Sequence, residues 1–212
     1  MGIELGQSVL VILAGGMSAR FGEVKGLKPV DGEPLIAWQI ARFQSAGGGK
    51  VVVVLGHHVV AYKRALVAGS AECVVNEEPQ RGPFSSLQCG LGVAAPGPTG
   101  AIFVLPVDVP AASAQVWRML AQCDRQLDAV IPTHEGRGGH PVRLGADFAA
   151  QLREIPWDRP DARLDAQLAA LPPTRLRRLE VEDESIRLNL NTPAAFQKWE
   201  SSLDNSPAAH NS

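Results

Sequence analysis

Five short runs of this chain are apolar at every position: residues 9–13, 51–55, 73–75, 101–105 and 129–131. A strand with one wet face alternates apolar and polar residues, so strands without alternation need cover on both faces. Each run stops at or beside Gly, Pro or Asn, the residues that punctuate strands. Between the runs, residues 34–46, 59–67, 85–94 and 113–123 carry apolar side chains at helical spacing. Pro34 lies near the start of the first, and Ser85 and Ser113 open the last two, as helix N-termini prefer. Buried strands interleaved with helices imply a parallel sheet covered on both sides.

After residue 131 the rhythm changes. Residues 140–144 alternate less cleanly, whereas residues 175–182 (RLRRLEVE) alternate with period two, as suits a strand with one wet face. The expected fold is an α/β, Rossmann-like α/β/α sandwich, its sheet mostly parallel but mixed, with one antiparallel strand in the C-terminal half. A short helix lies between the prolines of residues 156–173, residues 193–200 read as a last helix, and residues 204–212 read as a disordered tail. No repeat or long linker divides the 212 residues, so residues 1–203 form one expected domain.

Composition narrows the function. A formal charge of -2 lacks the basic excess of a general nucleic-acid binder, although a local basic pocket for phosphates is compatible with it. Cys73, Cys89 and Cys123 are odd in number and widely spaced, which is neither a disulfide framework nor a metal pair, so a cytoplasmic setting is expected. The start of the chain has no basic segment before its short apolar run, which reads as a strand rather than a signal peptide. No stretch approaches the roughly 18 apolar residues that cross a bilayer.

The most informative segment directly follows the first strand: Leu13, Ala14, Gly15, Gly16, Met17, Ser18, Ala19, Arg20, Phe21, Gly22, Glu23, Val24 and Lys25. Open α/β sheets bind ligands at this carboxyl edge. Glycines let a backbone approach a triphosphate and turn several N–H groups toward it. Arg20 offers two parallel donors to phosphate oxygens, and Lys25 a compact point charge. Glu23 and Val24 separate Gly22 from Lys25, so this is not a P-loop, and the dinucleotide fingerprint GxGxxG is absent. Read by itself, the segment is also compatible with a glycine turn flanked by two solvated cations.

As a whole, LAGGMSARFGEVKGLKPVDGEPLI resembles the signature of the molybdenum-cofactor nucleotidyltransferases, in both their guanylyl and cytidylyl branches. The resemblance runs from about residue 9 to residue 199, with residues 147–178 uninformative. It implies that the loop wraps a nucleoside triphosphate, with Leu13, Ala14, Gly15, Gly16 and Lys25 at the nucleotide. It also implies that the lysine six residues before an Asp-Gly turn is essential, a spacing that Lys25 and Asp31-Gly32 reproduce. Lys28 stands where that family has an apolar residue and receives no role.

Asp108 closes the fourth apolar run in the segment Pro106-Val107-Asp108-Val109-Pro110. A carboxylate at a strand end, its backbone restrained by prolines, suits a hard cation that prefers oxygen ligands. The same residue suits a turn or a helix N-cap. The resemblance implies magnesium on Asp108, in contact with the nucleotide. Asn189-Leu190-Asn191-Thr192-Pro193 resembles a second family motif whose first polar residue completes the metal site, here Asn189, while Asn191 and Thr192 are also suited to capping the last helix.

Further signals are weaker. Ser85 and Ser86 lie in the loop-to-helix segment 81–87, whose free N–H groups are candidates to face the base or ribose. His140, in Gly139-His140-Pro141, resembles a segment beside the acceptor, and is also suited to a structural hydrogen bond. His57-His58 lacks the Cys or carboxylate partners of a zinc site, and no Gly-x-Ser-x-Gly elbow is present.

The resemblance implies an enzyme that transfers a nucleoside monophosphate from GTP or CTP to a phosphorylated small-molecule acceptor such as molybdopterin, releasing pyrophosphate. Arg20, Lys25 and Asp108 are its catalytic candidates, and a monomer or small homo-oligomer its expected state. Gly15-Gly16 favours GTP, whereas Ser85-Ser86 and Gly139-His140-Pro141 pull toward CTP. A sugar-phosphate or alcohol-phosphate nucleotidyltransferase, or a non-catalytic nucleotide-binding protein of the same fold, are the alternatives.

Overall fold

The computed structural model describes residues 1–17 and 24–204. In chain order the elements are β1 (Val9–Ala14), β2 (Pro29–Val30), β3 (Glu33–Pro34), α1 (Leu35–Ser45), β4 (Lys50–Leu55), α2 (Val59–Ala65), β5 (Glu72–Val75), α3 (Pro83–Val93), β6 (Ile102–Pro106), α4 (Ala114–Gln122), β7 (Ala129–His134), β8 (Arg137–Gly138), β9 (Val142–Leu144), α5 (Ala146–Glu154), α6 (Leu164–Ala170), β10 (Leu176–Glu180) and α7 (Pro193–Asp204). Every expected strand and helix is present, with boundaries shifted by a few residues. Helix α5 falls in the stretch where the sequence is uninformative.

The main sheet runs in the order β10-β7-β9-β6-β1-β4-β5, with β8 paired to β7. Strands β6, β1, β4 and β5 are mutually parallel, and so are β10 and β7. Strand β9 lies between β6 and β7 and runs antiparallel to both. This is the antiparallel strand anticipated in the C-terminal half. Because of this reversal, the segment that precedes it emerges at the edge where the parallel strands end. Strand β10, the RLRRLEVE segment, is an edge strand parallel to β7.

Side chains of a strand alternate between faces, so a doubly apolar strand feeds two cores. In β1, Leu10 and Ile12 enter a core with Phe43, Phe103, Trp117 and Trp199. Val9 and Val11 enter the opposite core with Phe84, Leu87, Phe148 and Leu168. Helices α1, α2, α4 and α7 thus cover one face, and α3, α5 and α6 the other. Trp117 is fully buried and packs edge-on to Phe43 at 5.0 Å and Phe103 at 5.3 Å. Removing such a side chain costs about 3–5 kcal/mol. Arg143 of β9 is buried at 1% exposure. It donates to the carbonyls of Leu120, Cys123 and Asp124, holding the C-terminal end of α4, where a cation complements the helix dipole.

One helix start differs from the sequence reading, that of α3, while α7 starts at Pro193 as expected. Helix α3 begins at Pro83 behind Gly82, whose φ of 94° favours glycine, so Ser85 lies inside the first turn. At α7, Thr192 does cap, accepting the Ala195 N–H at 3.2 Å, while Asn191 is used elsewhere. No described helix is long and apolar enough to cross a membrane.

Candidate functional site

The carboxyl ends of β1, β4, β5 and β6 lie side by side because these strands are parallel and in register, Leu13 pairing with both Val54 and Pro106. Gly15 follows β1, Gly56 follows β4, Asn76 follows β5 and Asp108 follows β6. Gly15 is buried between β1 and the first turn of α3, where a Cβ would lie 2.8 Å from Ser86 Oγ. Gly16 is exposed, and among the described residues nothing lies within 4 Å of a Cβ there. Arg20 lies outside the described residues.

Lys25 reaches this edge because its turn packs tightly. Residues Lys25–Leu27 form one turn of 3-10 helix, followed by the β2–β3 hairpin. The hairpin turns at Asp31 and Gly32, both at positive φ, as a two-residue Asp-Gly connection requires. Gly26 lies against Tyr62 and Val107, and a Cβ there would meet both within 2.8 Å. This close approach delivers Lys25 Nζ to 3.5 Å from Asp108 Oδ2. Lys25 Nζ also donates to Asn191 Oδ1. The buried Tyr62 hydroxyl is pushed up to about 12, chiefly by burial, with the Gly26 backbone hydrogen bond opposing and the Asp108 charge adding to it. Tyr62 therefore stays a neutral phenol beside the site.

Asp108 lies in a turn from Pro106 to Val109, closed by the Val109 N–H donating to the Pro106 carbonyl at 3.1 Å. The Leu190 N–H donates to the Asp108 carbonyl at 2.7 Å, docking the C-terminal segment onto the turn. The side chain that joins the site from this segment is Asn191. Asn189 is exposed, and Leu190 between them is buried. The Asp108 and Asn191 oxygens thus converge on a single cation, the Lys25 ammonium, a donor set of hard oxygens suited to magnesium.

Asn76 was missed by the sequence reading. Its amide donates to Ser85 Oγ at 2.9 Å and Ser86 Oγ at 3.0 Å, and its own oxygen accepts the Glu78 N–H at 3.0 Å. Ser85 Oγ donates in turn to the Gly82 carbonyl at 2.8 Å. Asn76 thereby ties the loop after β5 to the start of α3 and sets the hydroxyl that touches Gly15. The one available signal was a polar residue closing an apolar run.

His140 comes to this edge because β9 runs backward. Its Nδ1 lies 3.4 Å from the Val104 carbonyl, which can only accept, so the proton is on Nδ1 and Nε2 carries the lone pair. Burial lowers its pKa, and the Val104 contact and the Asp108 charge oppose that less strongly. The ring is a neutral imidazole near pH 7. It lines a hollow of about 330 Å³, with Ile131, Val142, Leu164, Leu168 and Arg178 around it. His58 Nε2 lies 3.4 Å from the Met17 carbonyl.

A parallel sheet with a glycine turn, an α-helix start, a lysine and a carboxylate gathered at its carboxyl edge defines a nucleotide-binding α/β protein. Residues 10–173 match the MobA-like NTP transferase domain, and the chain belongs to that family of nucleotidyltransferases. The bifunctional protein GlmU of Geobacter sulfurreducens is 28% identical over 64% of this chain but only 29% of its own length, so the chain spans about a third of that relative. A molybdenum cofactor guanylyltransferase of Yersinia pestis is 29% identical over 90% of this chain and 93% of its own. Among solved structures, Rv0371c of Mycobacterium tuberculosis superposes with a TM-score of 0.78 at 22% identity, over 92% of this chain and 98% of that one. Its complex with manganese gives 0.73 at 20% identity, over 92% and 99%.

Proposed function

We propose that this protein transfers a nucleoside monophosphate from a nucleoside triphosphate, GTP in preference to CTP, to a phosphorylated acceptor such as molybdopterin. One observation carries the reading: Lys25 and Asp108 meet at 3.5 Å on the open sheet edge beside Gly15 and Gly16. A binding protein has no need of a carboxylate facing a triphosphate, whereas phosphoryl chemistry needs both charges. Residues 1–203 act as one catalytic domain in this reading, and the setting is the cytoplasm.

The triphosphate lies over residues 13–25 with its base near the start of α3. An oxygen of the acceptor phosphate attacks the α-phosphorus in line, and the bond from that phosphorus to the bridging oxygen breaks as pyrophosphate leaves. Lys25 and Arg20 stabilise the charge that develops on the leaving group, so catalysis is positioning plus electrostatics. No protein nucleophile or general base is needed, because a phosphate monoester is already ionised near neutral pH. Asp108 and Asn191 would hold magnesium, which would supply Lewis-acid stabilisation of the phosphates when bound. Among the described residues no cluster of three or more His, Cys, Asp or Glu is set for a metal ion, so most ligands would come from nucleotide and water. The manganese complex of Rv0371c supports a divalent ion in this fold.

The hollow beside His140 is the proposed acceptor site. Its apolar wall suits a ring system, Arg178 suits a phosphate, and neutral His140 offers a lone pair to a donor on the acceptor. No described residue lies within 4 Å of a Cβ at Gly16, which is compatible with a purine, and the guanylyltransferase relative spans nearly the whole chain. The second reading keeps the same reaction with a sugar phosphate or an alcohol phosphate as the acceptor.

The deciding experiment is the melting temperature with magnesium and each of GTP, CTP, UTP and ATP, followed by pyrophosphate release with candidate acceptors. A ligand at a hundred times its dissociation constant adds about 2.7 kcal/mol, several degrees for a domain of this size. GTP gives the largest shift under the proposal. A preference for UTP or ATP moves the protein to the sugar-phosphate reading, and no shift with any nucleotide overturns both.

A further inference from the structure

We infer that Gln39 is a positioning residue for Asp108, acting from helix α1 through the backbone of the turn that presents the carboxylate. The inference rests on the reading that Asp108 holds a divalent cation. Gln39 is fully buried, in a helix whose other buried residues are Leu35, Ile36, Trp38, Ile40 and Phe43. One amide in an apolar row needs a reason, because burying it costs free energy unless its groups find partners.

The carbonyls of the turn supply that reason. The Pro106 carbonyl accepts from Val109 N–H, and the Asp108 carbonyl accepts from Leu190 N–H. Among the described residues, the carbonyls of Val107 and Val109 receive no main-chain donor. Gln39 Nε2 serves both, at 2.6 Å to Val109 and 3.4 Å to Val107, with a longer approach of 3.5 Å to Pro106. These two carbonyls flank Asp108. The Val107 carbonyl belongs to the peptide leading into Asp108 and the Val109 carbonyl to the second peptide after it, so one amide holds the turn on both sides of the residue, which limits where the carboxylate can point.

The other end of the amide argues against a role in stability alone. Gln39 Oε1 is buried and has no partner among the described residues, a desolvation cost that an apolar side chain of similar size would avoid. Groups that orient a metal ligand from behind are worth about 10–100-fold in metal affinity.

The test is a non-reacting GTP analogue, with a methylene bridge between its α- and β-phosphates, titrated calorimetrically with Mn²⁺ and with EDTA. The ratio of the two dissociation constants reads the metal's coupling to the protein, without any turnover. Wild type shows strong Mn²⁺ enhancement and Asp108→Asn loses it. Gln39→Leu and Gln39→Met, measured well below their melting midpoints, keep the EDTA value and lose about tenfold of the enhancement. Variants that melt lower but keep the wild-type enhancement overturn the inference, as does a loss equal in Mn²⁺ and EDTA. A wild type without enhancement, or an Asp108→Asn protein that retains it, overturns instead the metal reading on which the inference rests.

Discussion

The backbone N–H of Leu190 donates to the carbonyl of Asp108 at 2.7 Å. That bond joins the two ends of the site, because Leu190 precedes Asn191, whose amide oxygen accepts from the lysine that pairs with Asp108. Asp108 is thus held through its main chain while its carboxylate stays about a quarter exposed. Loss of the carboxylate charge should leave the fold intact. Asp108→Asn is expected to cut turnover by about a thousandfold, the scale of losing a main electrostatic stabiliser. Its stability should change by no more than about 1 kcal/mol, since partly exposed pairs contribute little. Steady-state pyrophosphate release and urea unfolding check the two halves, and near-normal turnover would reduce Asp108 to a turn residue.

Lys25 and Lys28 differ in what they face. Lys25 points to Asp108 and Asn191, whereas Lys28 Nζ lies 5.9 Å over the ring of Phe196 in α7. Lys25→Ala should lower both nucleotide affinity and turnover. Lys28→Ala should leave turnover within about twofold and cost about 0.5–1 kcal/mol of stability through the lost ring contact. Parallel kinetic and unfolding measurements separate them, and equal kinetic losses would misplace the essential lysine.

Neighbouring glycines should respond in opposite ways. Gly15→Ala drives a methyl to 2.8 Å from Ser86 Oγ, a group already held by Asn76, and should destabilise by about 1–3 kcal/mol. Ser86→Ala in the same chain should restore much of that, since Ser86 Cβ lies 3.7 Å away. Gly16→Ala meets none of the described residues and should unfold like wild type, yet weaken nucleotide binding by adding a methyl beside the triphosphate. Unfolding curves and nucleotide titrations on the three variants decide it; a stability loss at Gly16 would contradict this contrast.

Stability should also depend on pH through His140. Burial lowers its pKa below the ordinary value near 6.5, so the unfolded chain binds a proton that the folded protein refuses. Its contribution is complete above about pH 6.5 and is lost as the pH falls toward the folded value. Unfolding free energies between about pH 5 and 7 should show a shallower slope in His140→Gln than in wild type. Identical slopes would mean that His140 titrates alike in both states.

The sequence by itself determined the layered fold and the edge where the site lies. Whether a run is apolar on one face or two is a local property, written in residues such as Val9 to Leu13, and it dictates cover on both sides. The Asp31-Gly32 turn was equally legible, because only such residues sit easily at positive φ in both positions. Tertiary structure decided which polar groups meet. Asn191 rather than Asn189 reaches Lys25, Gln39 rather than a main-chain donor satisfies the Asp108 turn, and Asn76 sets Ser85 and Ser86. The insertion of β9 between β6 and β7 brought His140 to the same edge. A one-dimensional pattern reports how deeply a residue is buried and what its backbone prefers. It does not report the partner of a buried polar group, since that partner comes from a distant segment whose position only the packed sheet defines.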